Sequence, residues 1–180
     1  MMTTFDARRS AGYDRRASRL LHGLHRRIAA DTADATAPGG TVLDIGTGPG
    51  RLLAELAARR PELRLHGADL SPHMIDLARR RVDGAALVVA DVAELPFPDG
   101  AFDTVVSSLS MHEWPDLPAA ARELRRVLRP QGRLMVYDFR FARARAARAA
   151  LGDRFATVTV TPVRPRRHPV ALVTRYTAEP

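Results

Sequence analysis

Residues 42–51 read Val42-Leu43-Asp44-Ile45-Gly46-Thr47-Gly48-Pro49-Gly50-Arg51, an apolar run that ends in three glycines at alternate positions. The run suits a buried strand, and glycine-rich turns after strands hold nucleotides because the backbone can approach the ligand closely. A dinucleotide fingerprint would read G-x-G-x-x-G, and a P-loop G-x-x-x-x-G-K-[ST]. Here the third glycine comes one residue early, and no lysine stands anywhere in the chain. The pattern is instead D-x-G-x-G-x-G, with Asp44 as the acid. A carboxylate at a strand end repels a pyrophosphate and suits a ligand that presents positive charge.

The remaining composition bounds the answer. A chain of 180 residues is long enough for one domain with a full core and cramped for two. It lacks the ~20 continuous apolar residues needed to cross a bilayer, and the N-terminal stretch has no apolar segment of a secretory signal. With no cysteine there are no disulfides, so the expectation is a cytoplasmic protein with no membrane partner. The net charge of +8 rests on arginine alone. It reads either as codon bias, with abundant Ala, Gly and Pro, or as a field that attracts anionic ligands or nucleic acid. The arginines are dispersed through every helical segment, which favours the first reading.

Around the glycine loop the chain alternates strand and helix patterns. Residues 13–30 form an amphipathic helix through Leu20, Leu21, Leu24 and Ile28, and the polar, turn-rich residues 31–40 read as a linker. TVLDI is a strand and residues 51–60 a helix stopped by Pro61. Residues 63–70 alternate as a strand, and Ser71-Pro72 opens a helix that runs to about Val82. Strands follow at 86–91 and 101–110, separated by a proline-rich loop. A helix opens at Asp116, the strand RLMVYD follows, residues 139–152 are helical, and FATVTVT and VALVTRY form a hairpin. Five βα units and a closing hairpin predict an α/β fold, a doubly wound Rossmann-like sheet of seven strands. It is mostly parallel with an antiparallel C-terminal hairpin strand, preceded by an N-terminal helical segment. The expected division is a helical lid at 1–37 and one ligand-binding domain at 38–180. Ligands in such sheets bind outside the carboxyl ends of the strands.

The order of these segments resembles the class I S-adenosylmethionine-dependent methyltransferases of the small "type 11" kind, over residues 40–140 with each motif in sequence. VLDIGTGPGR resembles the first motif of that family. The resemblance implies that Asp44, Gly46, Thr47 and Gly48 approach the methionyl and ribose parts of S-adenosyl-L-methionine. Asp69, in HGADLSPHMI, matches the acid that binds both ribose hydroxyls, about 20 residues beyond the glycines. Asp91 and Val92, in VVADVAELPFPDG, match the pair that holds adenine. Leu70 and Met74 either pack on the adenosine or belong to the core, and Ser107 through Ser110 are expected along the methionyl pocket. Ala11-Gly12-Tyr13-Asp14 resembles a segment that folds over the cofactor, which makes Tyr13 a lid residue or simply a helix start. The product would be S-adenosyl-L-homocysteine.

At the reacting centre, methyl transfer from a sulfonium is an in-line displacement, and a base is needed only where the nucleophile must lose a proton. His112, in SSLSMHEWPD, is the candidate base, since an imidazole changes protonation near neutral pH. The alternative is a cap of the next turn with Trp114 packed under it. The family often carries a second histidine where this chain has Glu113. Tyr137 and Asp138 end the fifth strand, where either can touch substrate, and Asp138 also suits the cap of the following helix. The absence of cysteine excludes cytosine C5 methylation, and no metal-ligand spacing is present. No long insertion roofs the acceptor. This implies either a large acceptor, such as a carrier-bound intermediate, a peptide or RNA, or a roof supplied by the N-terminal helix or by the second subunit of a homodimer; the expected acceptor is a small or carrier-presented molecule methylated on O, N or C. The alternatives are an RNA methyltransferase, a non-catalytic cofactor-binding module and, more distantly, a nicotinamide oxidoreductase. The basic turn at 162–169 is expected on the active-site edge, either binding an anionic acceptor or simply solvated.

Overall fold

A computed structural model describes residues 22–140, 143–164 and 172–180. Tyr13, the rest of the segment before His22 and most of the basic turn lie outside the described residues. The elements are α1 (His22–Ala35), β1 (Thr41–Ile45), α2 (Arg51–Arg59), β2 (Arg64–Asp69), α3 (Pro72–Arg79), β3 (Ala86–Val89), β4 (Phe102–Ser108), a 3-10 turn (Met111–Glu113), α4 (Leu117–Val127), β5 (Leu128–Phe139), α5 (Ala144–Gly152), β6 (Thr157–Val163) and β7 (Val173–Glu179). They build one seven-stranded sheet in the order β3-β2-β1-β4-β5-β7-β6. The first five strands are parallel, and β7 runs antiparallel between β5 and β6. This is the expected fold. No helix among the described residues is long and apolar enough to cross a membrane.

The side-chain period of two splits the core into two layers. Leu43, Ile45, Val105 and Val136 face α4 and α5, while Val42, Val106, Met135 and Tyr137 face α1 and α2. Local caps agree with the packing. The Ser71 hydroxyl accepts the Met74 N–H at the start of α3, with Pro72 in the first turn, and Asp116 accepts the Ala119 N–H at the start of α4.

Four local expectations are corrected. The helix expected to end near residue 30 continues to Ala35, because the small polar stretch read as a linker is buried. Ile28, Ala29, Thr32 and Ala33 are inaccessible or nearly so, and the Tyr137 hydroxyl donates to Asp31 across the core. The helix end is closed from outside by Arg60, which donates to the Ala33 carbonyl at 2.8 Å. β5 begins at Leu128 rather than Arg133, so Arg129 to Gly132 are drawn into the strand across an irregularity in its pairing with β4. The helix read at 139–152 is α5, which starts at Ala144. The proline-rich loop expected between β3 and β4 spans residues 90–101 with no helix, so the βα units number four rather than five.

The strand registers bring the carboxyl ends together. Ile45 pairs with Ala68 and Ser107, Ser108 with Tyr137, and Phe139 with Val173, which itself faces Val163. The hairpin ends Val163 and Val173 therefore stand on the same edge as the glycine loop.

Candidate active site

The loop after β1 turns sharply because its glycines occupy the left-handed region. Gly46 has φ 65° and Gly48 φ 53°. The Gly46 and Thr47 N–H groups both donate to the Ala68 carbonyl, at 2.8 and 3.1 Å, which locks the turn to β2. A Cβ on Gly46 would collide with Ser110, whereas one on Gly48 would meet nothing within 4 Å. The Gly48 backbone thus opens onto a cavity of about 450 Å³ at the carboxyl edge of the sheet, a volume suited to a ligand of nucleoside size.

Three carboxylates stand at this edge of the sheet. Asp69 ends β2 with each oxygen already held: Oδ2 accepts the Gly48 N–H at 2.8 Å and Oδ1 the Ser71 N–H at 2.9 Å. One lone pair on each oxygen remains, a geometry that fits two adjacent hydroxyls. Burial pushes its pKa up against those two hydrogen bonds. Asp44 is fully buried. Its Oδ2 accepts the Thr47 hydroxyl at 2.8 Å, while its Oδ1 has no partner. Burial, with a smaller contribution from Asp69, pushes its pKa up to about 7 despite the Thr47 bond. An orphaned, desolvated acid beside a second acid fits a cationic group. Asp91 lies across the cavity after β3, where its Oδ1 accepts the Ala93 N–H at 2.9 Å and turns the chain so that Val92 also lines the wall.

The other end of the cavity is built by the turn after β4. Leu109 lines it with φ 56°, a conformation that costs a leucine about 1–3 kcal/mol and is held here by its N–H bond to the Tyr137 carbonyl at 2.7 Å. The 3-10 turn that follows carries His112. Its backbone N–H donates to Asp138 Oδ2 at 2.6 Å, and its Nδ1 lies 2.8 Å from Asp138 Oδ1. Asp138 is wholly buried at the end of β5, so it fixes His112 rather than capping α5. Nδ1 is occupied, which leaves Nε2 available to the cavity. The Phe139 ring meets the His112 ring edge-on at 5.3 Å, and Glu113, Trp114 and Pro115 complete this end. Arg143 reaches back from the start of α5 to the Trp114 carbonyl.

The cavity brings together Gly46, Gly48, Asp69, Leu70, Met74, Asp91, Val92 and His112 from the sequence-derived set. Leu70 is exposed at its rim and Met74 buried in its wall. Asp44 and Thr47 line a separate recess of about 40 Å³ behind the glycine loop, together with His25 of α1 and Ser108. Ser107 lies on neither wall. Its hydroxyl is 2.8 Å from that of Ser110, which donates to the Ile45 carbonyl and does line the cavity. Tyr137 points to the opposite face and bonds Asp31, so it does not reach the cavity. Of the stretch expected along the pocket, Ser108, Leu109 and Ser110 line it. Sequence reasoning did not find the pairing of Asp138 with His112 or the Phe139 wall, since each depends on the register between β4 and β5. Among the described residues no cluster of acids and histidines could hold a metal ion.

These residues fit S-adenosylmethionine: an acid with an unpartnered buried oxygen for positive charge, a doubly anchored carboxylate for hydroxyls, and Asp91 with Val92 for a base edge. A family model described as "Methyltransferase domain" matches residues 43–136, just over half of the chain. A demethylmenaquinone methyltransferase of Thermus thermophilus is 43% identical over 118 residues, 63% of this chain and 53% of that protein. A malonyl-[acyl-carrier protein] O-methyltransferase of Halorhodospira halophila is 38% identical over 119 residues, 63% of this chain and 40% of that protein. The chain thus spans about half the length, or less, of these curated relatives. A crystal structure of a SAM-dependent methyltransferase from Aquifex aeolicus shares the fold, with a TM-score of 0.77 at 19% identity over 97% of this chain and 98% of that one. The chain belongs to the methyltransferase domain family, within the class I fold that uses S-adenosylmethionine as methyl donor.

Proposed function

We propose that the protein transfers a methyl group from S-adenosylmethionine to a small, uncharged and largely apolar acceptor, with His112 removing the proton that the acceptor must lose. The observation that carries this reading is a single cavity lined by Asp69 and Asp91 toward one end and at the other by His112, whose ring the buried Asp138 holds. Bound S-adenosylmethionine supplies a methyl group on a sulfonium, which leaves as a neutral thioether. Asp44, Gly46, Gly48, Asp69, Asp91 and Val92 would hold and orient the donor. Trp114, Pro115 and Phe139 offer the acceptor an apolar wall that excludes water. Asp138 holds His112 through Nδ1 and favours the tautomer in which Nε2 accepts a proton.

The wall also argues about acceptor charge. Although the chain carries +8, no arginine is among the described residues that line the cavity, and three acids are: Asp69, Asp91 and Glu113. A carboxylate or phosphate brought beside His112 would meet Glu113, and no described residue of the wall offers a cation to pair it. This favours a hydroxylated aromatic ring, the chemistry named by the quinone-modifying relative, over the carboxylate acceptor of the carrier-protein relative, and it gives the RNA reading no support. On such a ring, removal of the hydroxyl proton by His112 makes the adjacent carbon or the oxygen nucleophilic.

Two measurements test the proposal. Saturating S-adenosylhomocysteine should raise the melting temperature by mass action while NAD does not. Radiolabelled methyl should pass from S-adenosylmethionine to a short-chain demethylmenaquinol and not to a malonyl thioester or an RNA oligomer. Labelling of the thioester or the RNA alone would overturn the acceptor class, and stabilisation by NAD alone would overturn the donor.

A further inference from the structure

The loop of residues 90–101 carries Asp91 and Val92, yet it has no helix of its own and contains Pro96 and Pro98. It is held instead by two side chains of α4. Glu123 Oε2 accepts the Leu95 N–H at 3.0 Å. Arg126 donates to the Leu95 carbonyl at 3.0 Å, to the Phe97 carbonyl at 2.7 Å and to Asp99 at 2.9 Å. The two side chains are themselves joined by a two-pronged pair, Nε to Oε1 at 2.9 Å and Nη2 to Oε2 at 2.8 Å. The Gly100 N–H returns to the Arg126 carbonyl at 2.9 Å. From the other side Phe97 packs edge-on against His66 and Phe102, at 6.0 and 5.0 Å between ring centres.

The consequence concerns ligand recognition. Among the described residues Asp91 bonds only within its own turn, its carboxylate accepting the Ala93 N–H and its backbone carbonyl the Glu94 N–H, so the direction of its carboxylate depends on where residues 95–99 are held. A planar guanidinium that contacts two carbonyls and two carboxylates fixes position and angle together, which a point charge does not. We infer that Glu123 and Arg126 are positioning residues for adenine: they stand behind the loop and aim Asp91 and Val92 at the exocyclic amine and ring edge of the nucleobase. The inference rests on the donor assignment proposed above.

The test reads base discrimination rather than stability. Wild-type protein, R126Q, E123Q and R126K are titrated with S-adenosylhomocysteine and with its deaminated counterpart S-inosylhomocysteine, which lacks the amine. Wild type should prefer the adenosine compound. R126Q and E123Q should each lose roughly tenfold in affinity for it and almost none for the inosine compound, so that the preference collapses. R126K keeps the charge without the fork and should behave as R126Q does. At saturating donor, kcat should stay within about twofold in all variants, as expected when only uniform binding is lost. Should R126Q fail to fold, the isosteric E123Q carries the same test. Parallel loss for both compounds, tracking a lower melting temperature, would overturn the inference and leave the pair as a fold support. An unchanged preference would overturn it too. If wild-type protein bound neither compound, the donor assignment itself would fall, a result distinct from binding without discrimination.

Discussion

Nδ1 of His112 lies 2.8 Å from Oδ1 of Asp138, and the second oxygen of the same carboxylate takes the His112 backbone N–H at 2.6 Å. One buried acid thus fixes both the ring and the chain that carries it. H112A should lower kcat on the order of 100- to 10,000-fold, the range for a positioned base. D138N should lower it comparably, because an amide that donates to Nδ1 imposes the wrong tautomer. Affinity for S-adenosylhomocysteine should be unchanged in H112A, measured by calorimetry. A rate equal to wild type in H112A would return His112 to a capping role.

Asp44 predicts a pH dependence with a definite sign. Its pKa is 3.8 as an ordinary carboxyl and about 7 in the fold, so the folded state binds the extra proton between those values. Stability of the unliganded protein should therefore fall as pH rises through this window, by on the order of 4 kcal/mol for this group alone. D44N should flatten that part of the profile in denaturant titrations at pH 4 to 8. A cationic ligand favours the ionised form, so binding of S-adenosylmethionine near pH 6 should release a proton, seen as a buffer-dependent enthalpy. Equal slopes for D44N and wild type would show that Asp44 is not the titrating group.

Asp69 uses both oxygens on backbone N–H groups and keeps a lone pair on each for a ligand. An amide has one acceptor oxygen and would turn its NH2 against either Gly48 or Ser71. D69N should weaken S-adenosylhomocysteine binding roughly 10- to 100-fold, the value of a hydrogen bond to a charged group. Circular dichroism should show the fold retained. Undiminished affinity would remove Asp69 from the donor site.

The parts of the site that were legible in the sequence are local ones. Asp44, the glycines, Asp69 and Asp91 stand at or just beyond strand ends, and neighbouring parallel strands bring such ends to one edge. Less legible features depend on contacts between distant segments. Asp138 and His112 are 26 residues apart and meet through the pairing of Ser108 with Tyr137. The same alternation that turns Asp138 toward His112 turns Tyr137 toward α1. The stretch from Asp31 to Thr36 looks like a linker because its residues are small and polar. It is helical through Ala35 because Tyr137, Arg175 and Arg60 bond to it across the fold, a case of tertiary contacts deciding over propensity.

The first glycine of the loop resists a side chain for two separable reasons. In G46A the residue must hold φ near 65°, which costs an L-residue roughly 1–2 kcal/mol. Its methyl group also runs into the Cβ and Oγ of Ser110, an overpacking cost of about 1–3 kcal/mol. These two costs separate in a double-mutant cycle. S110G removes both colliding atoms but forfeits the hydroxyl contacts with Ser107 and the Ile45 carbonyl, about 1 kcal/mol each. The double variant G46A/S110G should therefore be more stable than the sum of the single losses implies, with a coupling of about 1–3 kcal/mol, while the backbone cost remains. Urea titration of the four proteins measures this. Simple additivity would mean that the loop moves away from Ser110 without resistance, and that the turn after β4 does not hold the glycine loop in place.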